Sequence, residues 1–156
     1  MKNSLVKPDF EKLQLTSRII AQRLYNKIRD DAEKGDANAI YEWGNVFYFG
    51  MYDIKPNKET AFSLYRFAAR KGNEFARFML AGCYFDGIGH GRDCKKAAHE
   101  FKLLAQAGWN ECWRLLGLCY EQTGHFKKAQ AAFDMAKRHG DESVDKDLAR
   151  LSNFKQ

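Results

Sequence analysis

Three stretches of the chain repeat one order of large apolar, small and polar positions. Large apolar residues stand four positions apart, as Trp43 and Phe47 do in the first stretch. This spacing places both side chains on one face of a helix. A small residue directly follows the first of each pair: Gly44, Ala81 and Gly117. The pattern predicts a first helix in each of three units, and no segment alternates apolar and polar residues convincingly enough to predict a strand.

A second helix follows in each unit and ends at a glycine. In the first unit its apolar side is formed by Ala61, Tyr65 and Ala69. The closing glycines, at the position where a left-handed residue ends a helix, are Gly72, Gly108 and Gly140. A single helix pair cannot bury its apolar side alone, so the three units are expected to stack into a solenoid.

The flanking segments predict a further helix at each end of the stack. The N-terminal segment has Leu24, Ile28 and Ala32 on one face, with Thr16 or Ser17 as its N-cap. The C-terminal segment has an apolar stripe and a cap at Asp141 or Ser143. The predicted divisions are a tail over 1–16, a capping helix over 17–35, repeats over 36–72, 73–108 and 109–141, and a capping helix over 142–156.

Composition limits the classes of protein to which the chain can belong. The chain has 156 residues, 45% hydrophobic and 14% aromatic, which is enough for one packed domain and too much for a disordered chain. The net charge of +6 favours acidic partners without establishing nucleic-acid binding. No stretch is apolar enough to span a bilayer. No apolar segment follows Lys2, so we expect a cytoplasmic protein, with secretion by a route without a cleaved signal left open.

At these positions the sequence resembles the Sel-one-like repeat family, a branch of the tetratricopeptide-like solenoids. The second unit carries the fullest set of motif residues: Ala76, Leu80, Tyr84, Gly87, Gly89, Ala97, Phe101, Ala105 and Gly108. The first unit departs in its loop, where Met51 to Asn57 lacks the second glycine, and the third looks more like a plain tetratricopeptide repeat. The resemblance implies an all-α fold, a right-handed superhelical solenoid of antiparallel helix pairs.

The resemblance also implies a function and a surface. Such solenoids bind a peptide or protein in a concave groove lined by the first helices, and many family members are bacterial regulatory or signalling scaffolds. Phe75 falls at a groove position of the second unit. The groove positions chosen as partner-binding candidates are Tyr41, Asn45, Tyr48, Phe78, Phe85, Arg114, Leu118 and Glu121. Among them Asn45 falls where a groove asparagine bonds a peptide backbone, and Arg114 suits a ligand carboxylate. We therefore expect a non-enzymatic, bacterial adaptor that needs no cofactor.

Two interpretations of the groove aromatics stay open at this stage. They form an exposed apolar surface for a partner, or they are covered as part of the core. A nucleic-acid-binding helical repeat is an alternative function, although the groove positions Asp86, Glu111 and Glu121 argue against the groove as its binding surface. A homo-oligomer that buries the aromatics against a second copy is another alternative.

The remaining chemical candidates do not match a known site pattern. The run Gly87, Gly89, Gly91 lacks the strand and the GK[ST] ending of a phosphate loop, so it is predicted to be an inter-helix loop. His90, Cys94 and His99 have zinc-ligand types without a standard spacing, and no catalytic or metal constellation emerges.

Cysteine and lysine positions complete the list of candidates. We expect free thiols, with Cys83 and Cys119 buried as small hydrophobic residues. Cys112, at a helix start, is a weak candidate for a thiol with a lowered pKa. A basic group on the third unit is predicted to be a solvated outer face, with an anionic partner as the alternative: Lys127, Lys128, Lys137, Arg138 and His139.

Overall fold

A computed structural model describes residues 10–153 of the chain. This part is all helical, with eight α-helices and one short 3₁₀ turn and no strand. The α-helices in chain order are α1 (Phe10–Glu33), α2 (Ala37–Phe49), α3 (Lys58–Arg70), α4 (Glu74–Asp86), α5 (Cys94–Gln106), α6 (Glu111–Gln122), α7 (Phe126–Arg138) and α8 (Asp145–Ser152). The 3₁₀ turn spans Glu142–Val144. No helix within this part is long and apolar enough to cross a lipid bilayer.

The helices pack in chain order as an antiparallel solenoid. The three pairs α2–α3, α4–α5 and α6–α7 each form one repeat, and α3 packs on α4 as α5 packs on α6. Helix α1 covers α2 at one end, and α8 packs on α7 at the other. The prediction of an all-α solenoid with a helix at each end is confirmed.

Close approach within a helix pair depends on the small residues that the sequence pattern singled out. A Cβ added at Gly44 would lie 2.7 Å from the Tyr65 ring, and one added at Gly117 would lie 2.4 Å from the Phe133 ring. Tyr65 and Phe133 are fully buried. Each buried ring therefore rests directly on the backbone of the partner helix, as the small residues predicted.

The N-terminal ends of four helices are capped by side chains. Asp36, Asn57, Asn73 and Asp93 each accept a hydrogen bond from the backbone N–H three residues later. Such a cap satisfies one of the free N–H groups in the first helical turn and stabilises the helix by about 1 kcal/mol. Helices α6 and α7 have no side-chain cap.

The connecting loops follow the glycines. Gly72, Gly108 and Gly140 all have positive φ, which confirms the predicted helix ends. In the loop between α4 and α5, Gly89 has φ +66°, and a Cβ there would lie 2.1 Å from the Lys58 carbonyl oxygen. Only glycine allows this close contact between the loop and the start of α3. The predicted inter-helix loop is therefore present.

The two terminal segments differ in how well the sequence predicted them. Helix α1 begins at Phe10, so Thr16 and Ser17 lie inside the helix and the predicted N-cap there is wrong. The predicted tail over 1–16 is helical from residue 10, and residues 1–9 lie outside the described part. At the other end Asp141 accepts a hydrogen bond from the Ser143 N–H, as predicted. Residues 154–156 of the predicted C-terminal segment are also outside the described part.

Candidate functional site

Four aromatic side chains form a continuous strip across the first helices, which we call the aromatic row: Tyr41, Phe75, Phe78 and Trp109. The ring centroids of Tyr41 and Phe75 lie 6.0 Å apart, and those of Phe75 and Trp109 lie 5.1 Å apart. Phe78 stacks on Trp109 at 5.7 Å. Phe75 is 59% exposed, while the other three are half-buried. The row thus joins α2, α4 and the segment before α6 into one accessible apolar surface.

Buried groups hold the row in place. The Tyr65 ring lies 6.0 Å from that of Tyr41, and its hydroxyl donates a 2.8 Å hydrogen bond to Asn45 Oδ1. Burial raises the pKa of Tyr65, so this hydroxyl stays a neutral donor. The Phe78 ring packs at 6.1 Å against the buried Phe101. The Asn45 side-chain oxygen is therefore occupied by a hydrogen bond within the chain. The sequence pattern instead predicts that this side chain bonds the backbone of a bound peptide.

Tyr48 and Phe85 are partly covered by cations from neighbouring segments. Lys58 Nζ lies 3.5 Å from the centre of the Tyr48 ring and also donates to the Tyr48 carbonyl oxygen. Arg92 lies over the Phe85 ring and donates to the Phe85 carbonyl oxygen. Burial raises the pKa of the Tyr48 hydroxyl. Both rings are half-buried packing residues at the edge of the groove, beside the more exposed Phe49.

The groove candidates of the third repeat already have partners on or beside α8. Arg114 Nε donates to Asp147 Oδ2 at 2.7 Å, and the Asp147 side chain is 4% exposed. Arg150 donates two hydrogen bonds, of 2.8 and 2.6 Å, to the Glu121 carboxylate. Leu118 packs against the cluster that contains Leu151. A ligand carboxylate at Arg114 would therefore have to share the guanidinium with Asp147.

Trp109 is the member of the row that the sequence analysis missed. It lies directly after Gly108, at the position that Asn73 and Asp141 hold in the other repeats, and its backbone N–H donates to Leu104 as theirs do to the matching residues. Its indole N–H donates to Glu74 at 3.0 Å. The replacement of a polar residue by tryptophan at this repeat position was the available signal.

The metal and thiol candidates lie apart or are buried. Within residues 10–153 no three His, Cys, Asp or Glu side chains come together as a metal site, and His90 stacks on Phe62 at 4.9 Å. All four cysteines are free, and Cys83 and Cys119 are buried as predicted. Cys112 is also buried, and burial raises the pKa of its thiol to about 12. This corrects the suggestion of a lowered pKa at that helix start.

The five basic candidates of the third repeat are all exposed, as predicted for an outer face. Lys137 pairs with Asp145 at 2.6 Å, and the Arg138 guanidinium contacts the Met135 sulfur. Lys128 instead lies over the Tyr120 ring, at 5.7 Å. The predicted solvated outer face is therefore present, and Lys128 also lines one surface with the lysines of α5.

Comparison with known proteins agrees with this architecture. A sequence model of the Sel1 repeat matches residues 37–73 and 75–108, which are the first two repeats. The crystal structure of a Sel1 repeat protein from Oxalobacter formigenes superposes with a TM-score of 0.70 at 25% identity, covering 94% of this chain and 67% of that one. A protective antigen of uropathogenic Escherichia coli with a Sel1-like repeat (SLR) fold superposes with a TM-score of 0.65 at 24% identity. The superposition covers 86% of this chain and 29% of that one.

A curated relative adds a functional comparison. The chain is 33% identical over 97 residues to an exopolysaccharide production negative regulator of Rhizobium leguminosarum bv. viciae. The match covers 62% of this chain and about a third (34%) of that protein's length. The family model, the structural neighbours and the helix-pair geometry agree that residues 37–73 and 75–108 are Sel1 repeats within a Sel1-like solenoid.

Proposed function

We propose that this protein is a non-enzymatic regulatory adaptor that binds an apolar segment of a partner protein across the aromatic row. The observation that carries the proposal is the exposure of Phe75 at the centre of four contacting aromatic rings. An exposed, contiguous apolar patch on a soluble fold is typical of an interaction surface. Aromatic residues are also the side chains that most often dominate binding energy at such surfaces.

The row suits an apolar anchor, and its surroundings suit a partner with a positive charge. Glu74 lies at one end of the row, where its carboxylate accepts the Trp109 indole N–H. A partner segment with one or two apolar side chains and a neighbouring lysine or arginine would match both features.

The similarity to a negative regulator supports a regulatory use of such binding. Sel1 repeat folds act as protein-interaction scaffolds, and α2 and α4, which form most of the row, belong to the two repeats that match the family model. We therefore place the peptide-binding surface mainly on the first two repeats. The third repeat is proposed to close the end of the stack together with α8.

The test is a selection of binding peptides from a displayed random library, followed by affinity measurements. Phe75→Ala is expected to weaken the selected peptides about tenfold or more, the size of effect that a central aromatic anchor has. Phe67→Ala is the matched control, since Phe67 is a phenylalanine of similar exposure, 50%, on α3. Equal affinity of the two variants for every selected peptide would contradict the proposal.

A further inference from the structure

A recess of about 370 Å³ lies between α5 and the turn that joins α6 to α7. Its walls are formed by residues of α5, of the turn and of the adjoining ends of α6 and α7: Lys95, Ala98, His99, Lys102, Tyr120, Thr123, His125 and Lys128. Lys95, His99 and Lys102 recur at helical spacing on one face of α5. The opposite wall adds His125 and Lys128 at the start of α7. We call this the cationic recess.

The recess contains no neutralising carboxylate. Its lining has three lysines and two histidines and no Asp or Glu. None of the ion pairs formed within residues 10–153 uses one of these five side chains. By contrast, neighbouring Lys96 pairs with Asp93, and Lys137 pairs with Asp145. Positive charge is therefore left unpaired at one concave place, where it favours a bound anion.

Several contacts position the recess walls. Lys128 lies over the Tyr120 ring, and His125 Nδ1 lies 3.0 Å from Thr123 Oγ1. The Tyr120 and His125 rings are 6.4 Å apart. Helix α7 begins beside the recess without a side-chain cap, so the positive end of its dipole adds to the lysine charges.

An apolar slot of about 210 Å³ adjoins the recess. Lys102, Tyr120 and Lys128 line both cavities. The slot is otherwise formed by apolar side chains of α6 and α7: Trp113, Leu116, Ala131, Ala132 and Met135. A ligand that carries an apolar or planar group next to its anionic group can fill both cavities.

We propose that the cationic recess binds a phosphate group with several negative charges, and that the slot takes an apolar group attached to it. Lysine ammonium groups bind phosphate oxygens as point charges. The recess volume is at the small end for organic ligands and too small for a folded partner or a duplex. Soluble nucleotides and phospholipids both present this chemistry. The site uses residues outside the aromatic row and does not depend on the proposed peptide binding.

The test compares two triple variants that lose the same charge. Lys95→Gln/Lys102→Gln/Lys128→Gln removes the lysines of the recess, and Lys27→Gln/Lys55→Gln/Lys146→Gln removes three exposed cations elsewhere. Titration calorimetry with tripolyphosphate is expected to show at least about tenfold weaker binding for the first variant and less than about twofold for the second. No binding to the native protein, or an equal loss in both variants, would overturn the proposal.

A second readout keeps the test independent of folding defects. Amide NMR shifts of the unmodified protein are expected to change around His99, Thr123 and Lys128 as tripolyphosphate is added. Changes centred elsewhere would overturn the assignment. ATP and vesicles that contain phosphatidic acid then distinguish the sources: stronger binding of ATP than of tripolyphosphate supports a soluble ligand in the slot, and vesicle binding that only the recess variant loses supports a lipid.

Discussion

The first two repeats and the third repeat are held together in different ways. All four helices of the first two repeats begin with an aspartate or asparagine that caps the first turn. In the third repeat Asn110 precedes α6 in a helical conformation and His125 precedes α7, and neither makes a side-chain cap. Local interactions therefore fix the ends of the first four repeat helices, while the last two depend more on packing.

The groove positions of the first two repeats also differ from those of the third repeat in whether another helix covers them. In the first two repeats the aromatic row is open, with Phe75 at its centre. In the third repeat α8 supplies Asp147 and Arg150 as partners for Arg114 and Glu121. Homologous positions in a repeat protein can thus serve recognition in one repeat and closure of the stack in another. The two repeats whose helices have side-chain caps are also the ones whose groove surface is not covered by another helix.

Removal of the α8 anchor should have the largest effect. Leu151 is fully buried against the third repeat, so Leu151→Ala is expected to lower the free energy of unfolding by about 2–4 kcal/mol. Amide hydrogen exchange should accelerate in α6 and α7 before it does in α2 to α5. Leu15→Ala, at an exposed position of α1, is the control and should change stability by less than about 0.5 kcal/mol. Uniform acceleration along the chain would show that the third repeat has no special dependence on α8.

Loss of the Arg114 pair should come next. Arg114→Ala leaves the buried Asp147 carboxylate with Arg150 alone, whose nearest atom is 3.0 Å away. Arg114 is partly exposed, so solvent reduces the cost to about 1–2 kcal/mol. Urea unfolding measures the change, and Arg114→Lys should recover part of it. An unchanged midpoint in Arg114→Ala would show that the ion pair does not hold α8.

Alkaline pH should destabilise the fold through its buried thiols. Burial raises the pKa of Cys112 and Cys119 from the ordinary value of 9.0 to about 12, and that of Cys83 to about 11. The unfolded chain releases these protons first, so stability is complete below pH 9 and falls as the pH rises above it. The loss at pH 10 is about 1 kcal/mol for each thiol.

A cysteine variant isolates this effect. Thermal unfolding of Cys119→Ala between pH 8 and pH 10 should show a fall in stability that is smaller by about 1 kcal/mol than in the native protein. Cys94→Ala is the control because Cys94 is only half-buried. Parallel pH curves for all three proteins would contradict the role of burial.

A new cap on α7 should have the smallest effect and the opposite sign. His125→Asp places a carboxylate at the uncapped start of α7 and should stabilise the protein by about 0.5–1 kcal/mol. The same change should weaken tripolyphosphate binding at the recess. A loss of stability in urea unfolding would mean that the third repeat cannot adopt the cap geometry of the first two.

The sequence predicted the features that depend on neighbours in the chain or on the repeat pattern. Gly44 and Gly117 marked the places where rings contact backbone, and Asp141 marked a helix start. The start of α1 was missed because no residue between Phe10 and Glu33 breaks a helix, and threonine and serine are tolerated within one.

Whether a groove residue is open to a ligand or bonded to another helix could not be predicted from the repeat pattern. Arg114 lies 33 residues before Asp147, and their contact depends on how α8 docks. A charged residue at a groove position has the same sequence pattern whether it faces a ligand or another helix. The position of Trp109 in the repeat was a sequence signal, but its contacts with Phe75 and Phe78 arise only when α4 and α5 are packed.

The most direct test of the account uses tryptophan fluorescence to locate the bound peptide. The chain has three tryptophans, and Trp43→Phe/Trp113→Phe leaves Trp109, in the aromatic row, as the sole reporter. The Trp43 indole N–H is buried with no acceptor among the described residues, so Trp43→Phe breaks no hydrogen bond. A companion protein with Trp43→Phe/Trp109→Phe, measured at a peptide concentration that saturates it, keeps Trp113 beside the apolar slot instead. The account predicts that a selected peptide shifts the emission of Trp109 and leaves that of Trp113 unchanged; a shift at Trp113 alone would contradict it.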